Sequence, residues 1–333
     1  IYLEYRTTMD QILAEFEQQT APTAEDYVTT LRRLLAVSPE FPHPGRGQTL
    51  LRWQLLAKVA ATDLTLVKWL ESHLDALSIL NELQIPSVPA GWWAVWAAEG
   101  HPQPVQYEQG YCSGYKAWCS AAHAVDFGLM TYRDADGLSQ LLIVEMQQPS
   151  IQVDDSGWQA VGMQQTATAT VHFQHTPATR IGQPGDYLNR PGFWHGAAGV
   201  AACWYGAAVR LAEYLQQYVQ QKTHAYHELY LGEISTRLAV TRQFFTHVAA
   251  QIDAAPAHSH ELIIRMLRAQ VEDTALLVLE KVGKALGARP FCEQAHFARL
   301  AADLPVFLRQ SHAAFDLAAI GRLSLQEGQT WQL

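Results

Sequence analysis

Cysteine is scarce in this sequence, and none of it is closely paired. Cys112, Cys119, Cys203 and Cys292 form no Cys-x-x-Cys unit. A chain this long needs no disulfide staples, so the spacing predicts reduced thiols and a cytoplasmic location. Also missing is any run of five or more Lys and Arg. Together with a net charge of −9, this argues against nucleic acid and anionic membrane as partners. No signal-peptide pattern opens the chain, and a start at Ile1 rather than Met predicts that natural N-terminal residues precede it. One stretch, 191–209 (PGFWHGAAGVAACWYGAAV), has no Asp, Glu, Lys or Arg and nearly reaches membrane-spanning length. Its Pro191, His195 and glycines argue instead for a buried helix, with small residues that let neighbouring helices approach closely.

What is present reads as a globular chain. Of 333 residues, 49% are hydrophobic and 17% charged, enough to bury a large core. Three zones follow one another. Residues 1–93 are helical, interrupted by a Pro/Gly loop at 38–47 (SPEFPHPGRG). Beyond it, Leu51, Leu55 and Val59, then Leu66, Leu70, Leu74 and Leu77, recur at helical spacing. Thr62 or Asp63 is placed to cap a break between two helices.

From 94 to 190 the period changes to two. FGLMTYRDADGLSQLLIVEM predicts strand, turn and strand, with Asp136 and Gly137 in the hairpin turn. In TATATVHFQ, Thr166, Thr168, Thr170 and His172 are expected on one face, and Ala167, Ala169, Val171 and Phe173 on the other. From 191 to 333 helix returns in four long segments, about 193–222, 224–253, 260–286 and 293–322. The third carries an apolar stripe (Leu262, Met266, Val271, Leu279, Val282, Leu286) and ends at a glycine. The expected architecture is α+β and multi-domain: N-terminal helices, a central antiparallel β-barrel or sandwich, and a C-terminal four-helix bundle.

Four stretches in this order resemble the acyl-CoA dehydrogenase family of flavoproteins. AVWAAEG (94–100) resembles its flavin-contacting strand, which usually ends Thr-Glu-Pro. GYKAWCS (114–120) is similar to its Gly-x-Lys-x-Trp-Ile-Thr/Ser strand. GMQQTATATVHFQHTPATRIGQPGDYL (162–188) resembles its Gly-Met-Arg strand and Val-Gly-x-Pro-Gly turn. KVGKALGARPFCEQAHFARLAADLPVFL is similar to its C-terminal helix, Gly turn and Arg-Asp helix. The match covers most of the chain from about residue 48. It implies FAD, with Trp96, Ala98, Trp118, Cys119 and Ser120 in the flavin-contacting strands and Lys284 facing a neighbouring subunit's cofactor. The plainer alternatives are a core Trp118 and an exposed helical Lys284. The family's Arg-x-Gln-Phe-Gly segment, which grips the adenosine end across a subunit boundary, should fall in 224–239, and no such motif occurs there.

The family abstracts a proton with a Glu. Alignment on Asp303 places Ser311 at that position and His312 in place of the following Gly. Alignment on Phe193 and Gly206 places Gly196 at the base position of a second branch, next to His195. Neither position carries a carboxylate. A His with an ordinary pKa can serve as a base, whereas a lone Ser cannot. His312 and Asp316 lie four apart and would share a helical face, so Asp316 is a candidate orienter of His312. Arg309, on the same face, is a candidate ligand for Asp316 or for an anionic substrate, and His195 is a second candidate substrate contact. The competing expectation is an ordinary surface cluster. His224 with His227, and His258 with His260, lack a third ligand at metal-binding spacing, so no metal is expected. Of Glu272 and Asp273, one is expected in water and the other paired inside the bundle. The segment ESHLDALSIL is a candidate wall of an acyl pocket, with core packing as the alternative.

Three functions remain open at this level. The resemblance implies an FAD-dependent oxidoreductase acting on an acyl thioester or related carbonyl compound, with an unassigned electron acceptor. Relatives with this fold also include flavin monooxygenases that use a His near the C-terminal base position. The third possibility is a binding subunit that has lost catalysis. A homodimer or homotetramer through the bundle is implied in each case.

Overall fold

The computed structural model describes residues 2–37, 41–222, 224–328 and 330–332, with side chains from residue 7 onward. Residues 38–40 of the expected 38–47 loop lie outside them. The chain divides into two compact units, each assembled from separated segments. One comprises Ile1–Ile12, Pro22–Phe41 and Lys68–Phe193; the other comprises Leu13–Ala21, Pro42–Val67 and Trp194–Leu333.

Four helices come first: α1 (Tyr2–Glu17), α2 (Ala24–Val37), α3 (Thr49–Thr62) and α4 (Leu64–Glu82). The break between α3 and α4 falls at Asp63, whose extended backbone ends one helix. Its Oδ1 accepts from the amides of Thr65 (2.8 Å) and Leu66 (3.1 Å), two donors that have no partner within the helix they open. Removing this cap with Asp63→Ala is expected to cost about 1–2 kcal/mol, read as a lower denaturation midpoint. Asp63→Asn should retain most of that stability, since Asn caps as well.

The β-region holds β1 (Trp93–Trp96), β2 (Gln106–Glu108), β3 (Tyr111–Cys119), β4 (Phe127–Arg133), β5 (Ser139–Glu145), β6 (Ile151–Asp154), β7 (Ala169–Pro177) and β8 (Thr179–Ile181). These form two four-stranded sheets, ordered β1-β4-β5-β8 and β2-β3-β7-β6. All pairings are antiparallel except β1 with β4. The predicted hairpin is β4–β5, in register from Phe127↔Glu145 to Arg133↔Ser139. Gly137 sits in its turn at φ +76°. Asp134 also shapes that turn, accepting from the amides of Asp136 and Leu138.

The TATATVHFQ reading needs a correction at its start. Residues Gln164–Thr166 form a 3-10 turn and Ala167 is left-handed, so the strand begins only at Ala169. Local bonds explain this. The Thr166 hydroxyl donates to Met163 O (2.8 Å) and pairs with the Thr168 hydroxyl (2.9 Å), competing with the ladder. From Ala169 onward the alternation holds, with Ala169, Val171 and Phe173 buried. On α4, Ala76, Ile79 and Leu80 pack with Trp93, Leu129, Leu141 and Ile181, and Leu77 lies against them. The segment ESHLDALSIL is therefore core.

The C-terminal part contains α5 (Asp186–Asn189), α6 (Gly192–Gln221), α7 (Ala225–Ala254), α8 (Glu261–Leu286), α9 (Arg289–Glu293), α10 (Ala295–Phe307) and α11 (Ala314–Gln326). Three of the four predicted long helices are present. The fourth is broken: α10 runs into a 3-10 turn, Ser311 is extended, and Ala313 has φ +42° before α11 begins. Side chains there satisfy amides that a continuous helix would bond. Ser311 Oγ accepts from the Ala313 amide (3.1 Å), and Asp316 Oδ2 accepts from the His312 amide (3.0 Å). The uncharged stretch at 191–209 lies in α6 from Gly192 onward, and no helix among the described residues is long and apolar enough to cross a membrane. Within α6, Gly206 lies against the backbone of Ala57 on α3. This is the close approach that the small residues predict.

Candidate functional site

Strand β3 carries the densest set of expected site residues. Its Gly114 has φ +115°, and a Cβ there would lie 2.4 Å from the Pro104 carbonyl oxygen, so only glycine fits. Alternation turns Lys116 inward, and it is 2% exposed. Beyond it the register slips. Lys116 faces Val171 and Cys119 faces Ala169, leaving Ala117 and Trp118 opposite Thr170. This is a β-bulge, a device that re-aims side chains. Trp118 occupies it at φ +61°, an uncommon conformation for a bulky residue. The result is a tryptophan 65% exposed to solvent.

The exposed ring forms one wall of a cleft of about 230 Å³. Trp158 forms another, with ring centroids 5.8 Å apart and planes at 87°. Its indole N–H donates to Gln164 O (3.0 Å), which fixes that ring. Ala117, Asp154, Gly157, Thr168, Ala169 and Thr170 complete the lining. The cleft therefore offers an aromatic platform, two hydroxyls and one carboxylate. It is smaller than the roughly 300–1,000 Å³ of whole ligand pockets and suits a single ring system.

The other expected cofactor residues behave differently. Trp96 is buried, its ring lies over Gly128, and its N–H donates to Ser120 O (3.1 Å). Ser120 and Cys119 are buried as well, and burial pushes the Cys119 thiol well above the usual range. The side chains of Trp96, Cys119 and Ser120 thus lie in the core around the bulge. Ala98 is half-buried. Lys284 is exposed on α8 and ion-paired with Glu280.

The second group of expected residues belongs to the other compact unit, where several expectations are overturned. The His312 side chain is exposed, in the break and not on a helix face. Asp316 does not orient the His312 imidazole, because its carboxylate is taken by the His312 amide and the Arg265 guanidinium. Arg309 pairs with Glu272 (2.6 Å) instead of Asp316. Ser311 is buried, with its Oγ engaged by the Ala313 amide. His195 is only 2% exposed, and its Nε2 lies 2.9 Å from His258 O. Glu272 is nearly buried and paired while Asp273 is exposed, as the sequence predicts.

Two arginines on α8 were invisible to pattern reading, and they hold the break. Arg268 donates to Ala197 O (2.6 Å) and Gln310 O (3.1 Å) and stacks over Trp204. Arg265 stacks over Trp194, 4.3 Å from the ring centre, while binding Asp316. Trp158 was also missed, because a Gly-containing loop has no period to read, as was Asp154, at the end of the four-residue strand β6, which is too short to show one. Lys116 carried a readable signal: alternation in CSGYK (112–116) puts it on the same inward face as Cys112. Among the described residues no group of three His, Cys, Asp or Glu is placed to hold a metal ion.

No family model and no curated protein matches the chain in sequence. Solved structures do match in shape. TdsC from Paenibacillus sp. A11-2, solved with FMN and indole and described as dibenzothiophene monooxygenase, shares 14% identity. Its TM-score is 0.76, over 97% of each chain. The methanesulfinate monooxygenase MsuC from Pseudomonas fluorescens shares 16% identity over 96% of each chain, with a TM-score of 0.73. Butyryl-CoA dehydrogenase from Megasphaera elsdenii shares 14% identity over 96% of this chain and 98% of its own, with a TM-score of 0.78. Agreement over nearly the full length of both kinds of enzyme gives this chain the acyl-CoA dehydrogenase-like fold.

Proposed function

We propose that the protein is a flavin-dependent oxidoreductase whose cofactor ring lies against Trp118. The observation that carries this reading is the exposed tryptophan, held left-handed on a bulge, in edge contact with a second tryptophan and lining a cleft of about 230 Å³. A strained aromatic that covers no core is explained by a ring that stacks on it. Trp118 would stack on the ring, Trp158 would brace Trp118 through their edge contact, and Thr168 and Thr170 would bond the ring's polar edge. The Asp154 carboxylate repels phosphate, so the phosphate tail would leave by another side. When bound, a flavin supplies two-electron redox chemistry. The lack of an Arg-x-Gln-Phe-Gly motif in 224–239 favours the mononucleotide over FAD.

The base region favours oxygenation over dehydrogenation of an acyl thioester. Dehydrogenation in the family this chain resembles takes the proton from carbon with a Glu carboxylate. Ser311 and Gly196 are not carboxylates, and Glu272 and Asp316 are each held by an arginine. His312, exposed and with no carboxylate orienting its ring, remains the residue able to exchange protons with a substrate.

The test is incubation of the full chain with FMN and, separately, FAD, followed by desalting and a visible spectrum. Retained flavin is expected, with FMN preferred. Anaerobic addition of acyl thioesters should leave the band unbleached, whereas a flavin reductase supplied with NADH should give oxygen uptake beyond that of reductase, NADH and flavin without the protein. If neither flavin is retained at any concentration tried, the reading is wrong. Bleaching by a thioester would replace oxygenation with dehydrogenation.

A further inference from the structure

Lys116 is a buried amine that the reading above does not use. It stands on β3, in the sheet β2-β3-β7-β6. Its Nζ reaches the other sheet, donating to Thr131 O (2.6 Å) and Thr131 Oγ1 (3.0 Å) on β4. The third contact is Glu99 Oε1 (3.1 Å), just beyond β1. An ammonium has three donors, and each finds an acceptor here. The Thr131 hydroxyl in turn donates to Glu99 Oε1 (2.7 Å), closing a ring of three side chains. Burial lowers the Lys116 pKa, and the Glu99 carboxylate opposes the shift.

The position of this ring matters more than its strength. Lys116 is the last residue of β3 in register before the bulge. The buried Cys119 thiol closes the far side, reaching back to Lys116 O (3.3 Å). Glu99 belongs to the stretch that follows Ala98. One ammonium therefore fixes both stretches that resemble flavin-contacting strands.

We propose that Lys116 is a positioning residue: its cross-sheet tie to Thr131 and Glu99 sets the bulge and so aims the Trp118 ring into the cleft. This rests on the flavin reading for its purpose, though the aiming itself can be measured without flavin. A supporting shell that locks a ring in place is what preorganised binding requires.

The experiment uses the full chain labelled with 5-fluorotryptophan, with the Trp118 fluorine signal assigned through Trp118→Phe. In Lys116→Met the Trp118 signal should shift and broaden. Flavin affinity should fall by about tenfold, the scale of one lost charge-assisted hydrogen bond. Asp63→Ala, destabilised elsewhere, should leave the Trp118 signal in place, which separates positioning from general loss of stability. If Lys116→Met does not fold, Thr131→Val removes the bridging hydroxyl and should move the signal in the same direction. An unmoved Trp118 signal in the folded variants overturns the proposal. A moved signal in a protein that binds no flavin upholds the tie and defeats the flavin reading instead.

Discussion

Gly206→Ala is expected to destabilise the protein by about 3 kcal/mol or more, and Gly206→Val to prevent folding. A Cβ at this position would lie 2.1 Å from the Ala57 carbonyl oxygen and 2.6 Å from the Ala57 Cα. Both atoms are backbone, so no rotamer change relieves the clash. Helices α3 and α6 would have to separate, opening gaps among Val59, Ala207 and Leu211, all fully buried. Interiors packed at crystal-like density tolerate this poorly. The contrast is Gly232 on α7, where an added Cβ meets nothing within 4 Å. There the same substitution should stabilise by up to about 1 kcal/mol, because alanine restricts the unfolded chain and favours helix. Urea denaturation of the two variants side by side checks both signs. Equal behaviour would mean that the α3–α6 approach is not as close as described.

Trp118→Ala is expected to weaken flavin binding by about tenfold to a hundredfold while leaving the fold intact. Stacking of a heteroaromatic ring on an aromatic side chain is worth about 1–3 kcal/mol by alanine substitution, and each 1.4 kcal/mol is tenfold. The ring is 65% exposed, so its removal leaves no large cavity. Relief of the left-handed strain does not follow, since Ala is disfavoured at φ +61° too. Trp118→Phe should retain most of the affinity. Flavin titration followed by fluorescence, with the denaturation midpoint as control, reads both quantities. Unchanged affinity in Trp118→Ala would remove the cleft from the cofactor's path.

Much of the architecture was legible because period and capping are local. Asp63 caps α4 as its place between two periodic runs predicts. The β4–β5 hairpin follows from its alternation, and the inward turn of Lys116 could be read from CSGYK. The bulge was not legible, since a slip of one residue between β3 and β7 depends on what faces each strand. The break at 311–313 was hidden for a similar reason. The segment LRQSHAAFD has helical composition, but Ser311 and Asp316 spend their oxygens on nearby amides. A sequence pattern places His312 and Asp316 four apart; only tertiary structure shows that Arg265 has already taken the carboxylate.

The interruption at Ser311–Ala313 also bears on how the chain's end folds and melts. Helical order spreads along a continuous ladder of amide bonds, and here the ladder stops between α10 and α11. Each helix must nucleate for itself. Helix α11 is held by packing on α8, where Ala319 is buried, and by the Asp316 bond to Arg265. Its opening is therefore uncoupled from that of α10, and the last stretch behaves as its own cooperative unit within the protein. Amide exchange in 314–326 would then run ahead of exchange in 295–307, so that the tail can fray and reform while the bundle beside it stays closed.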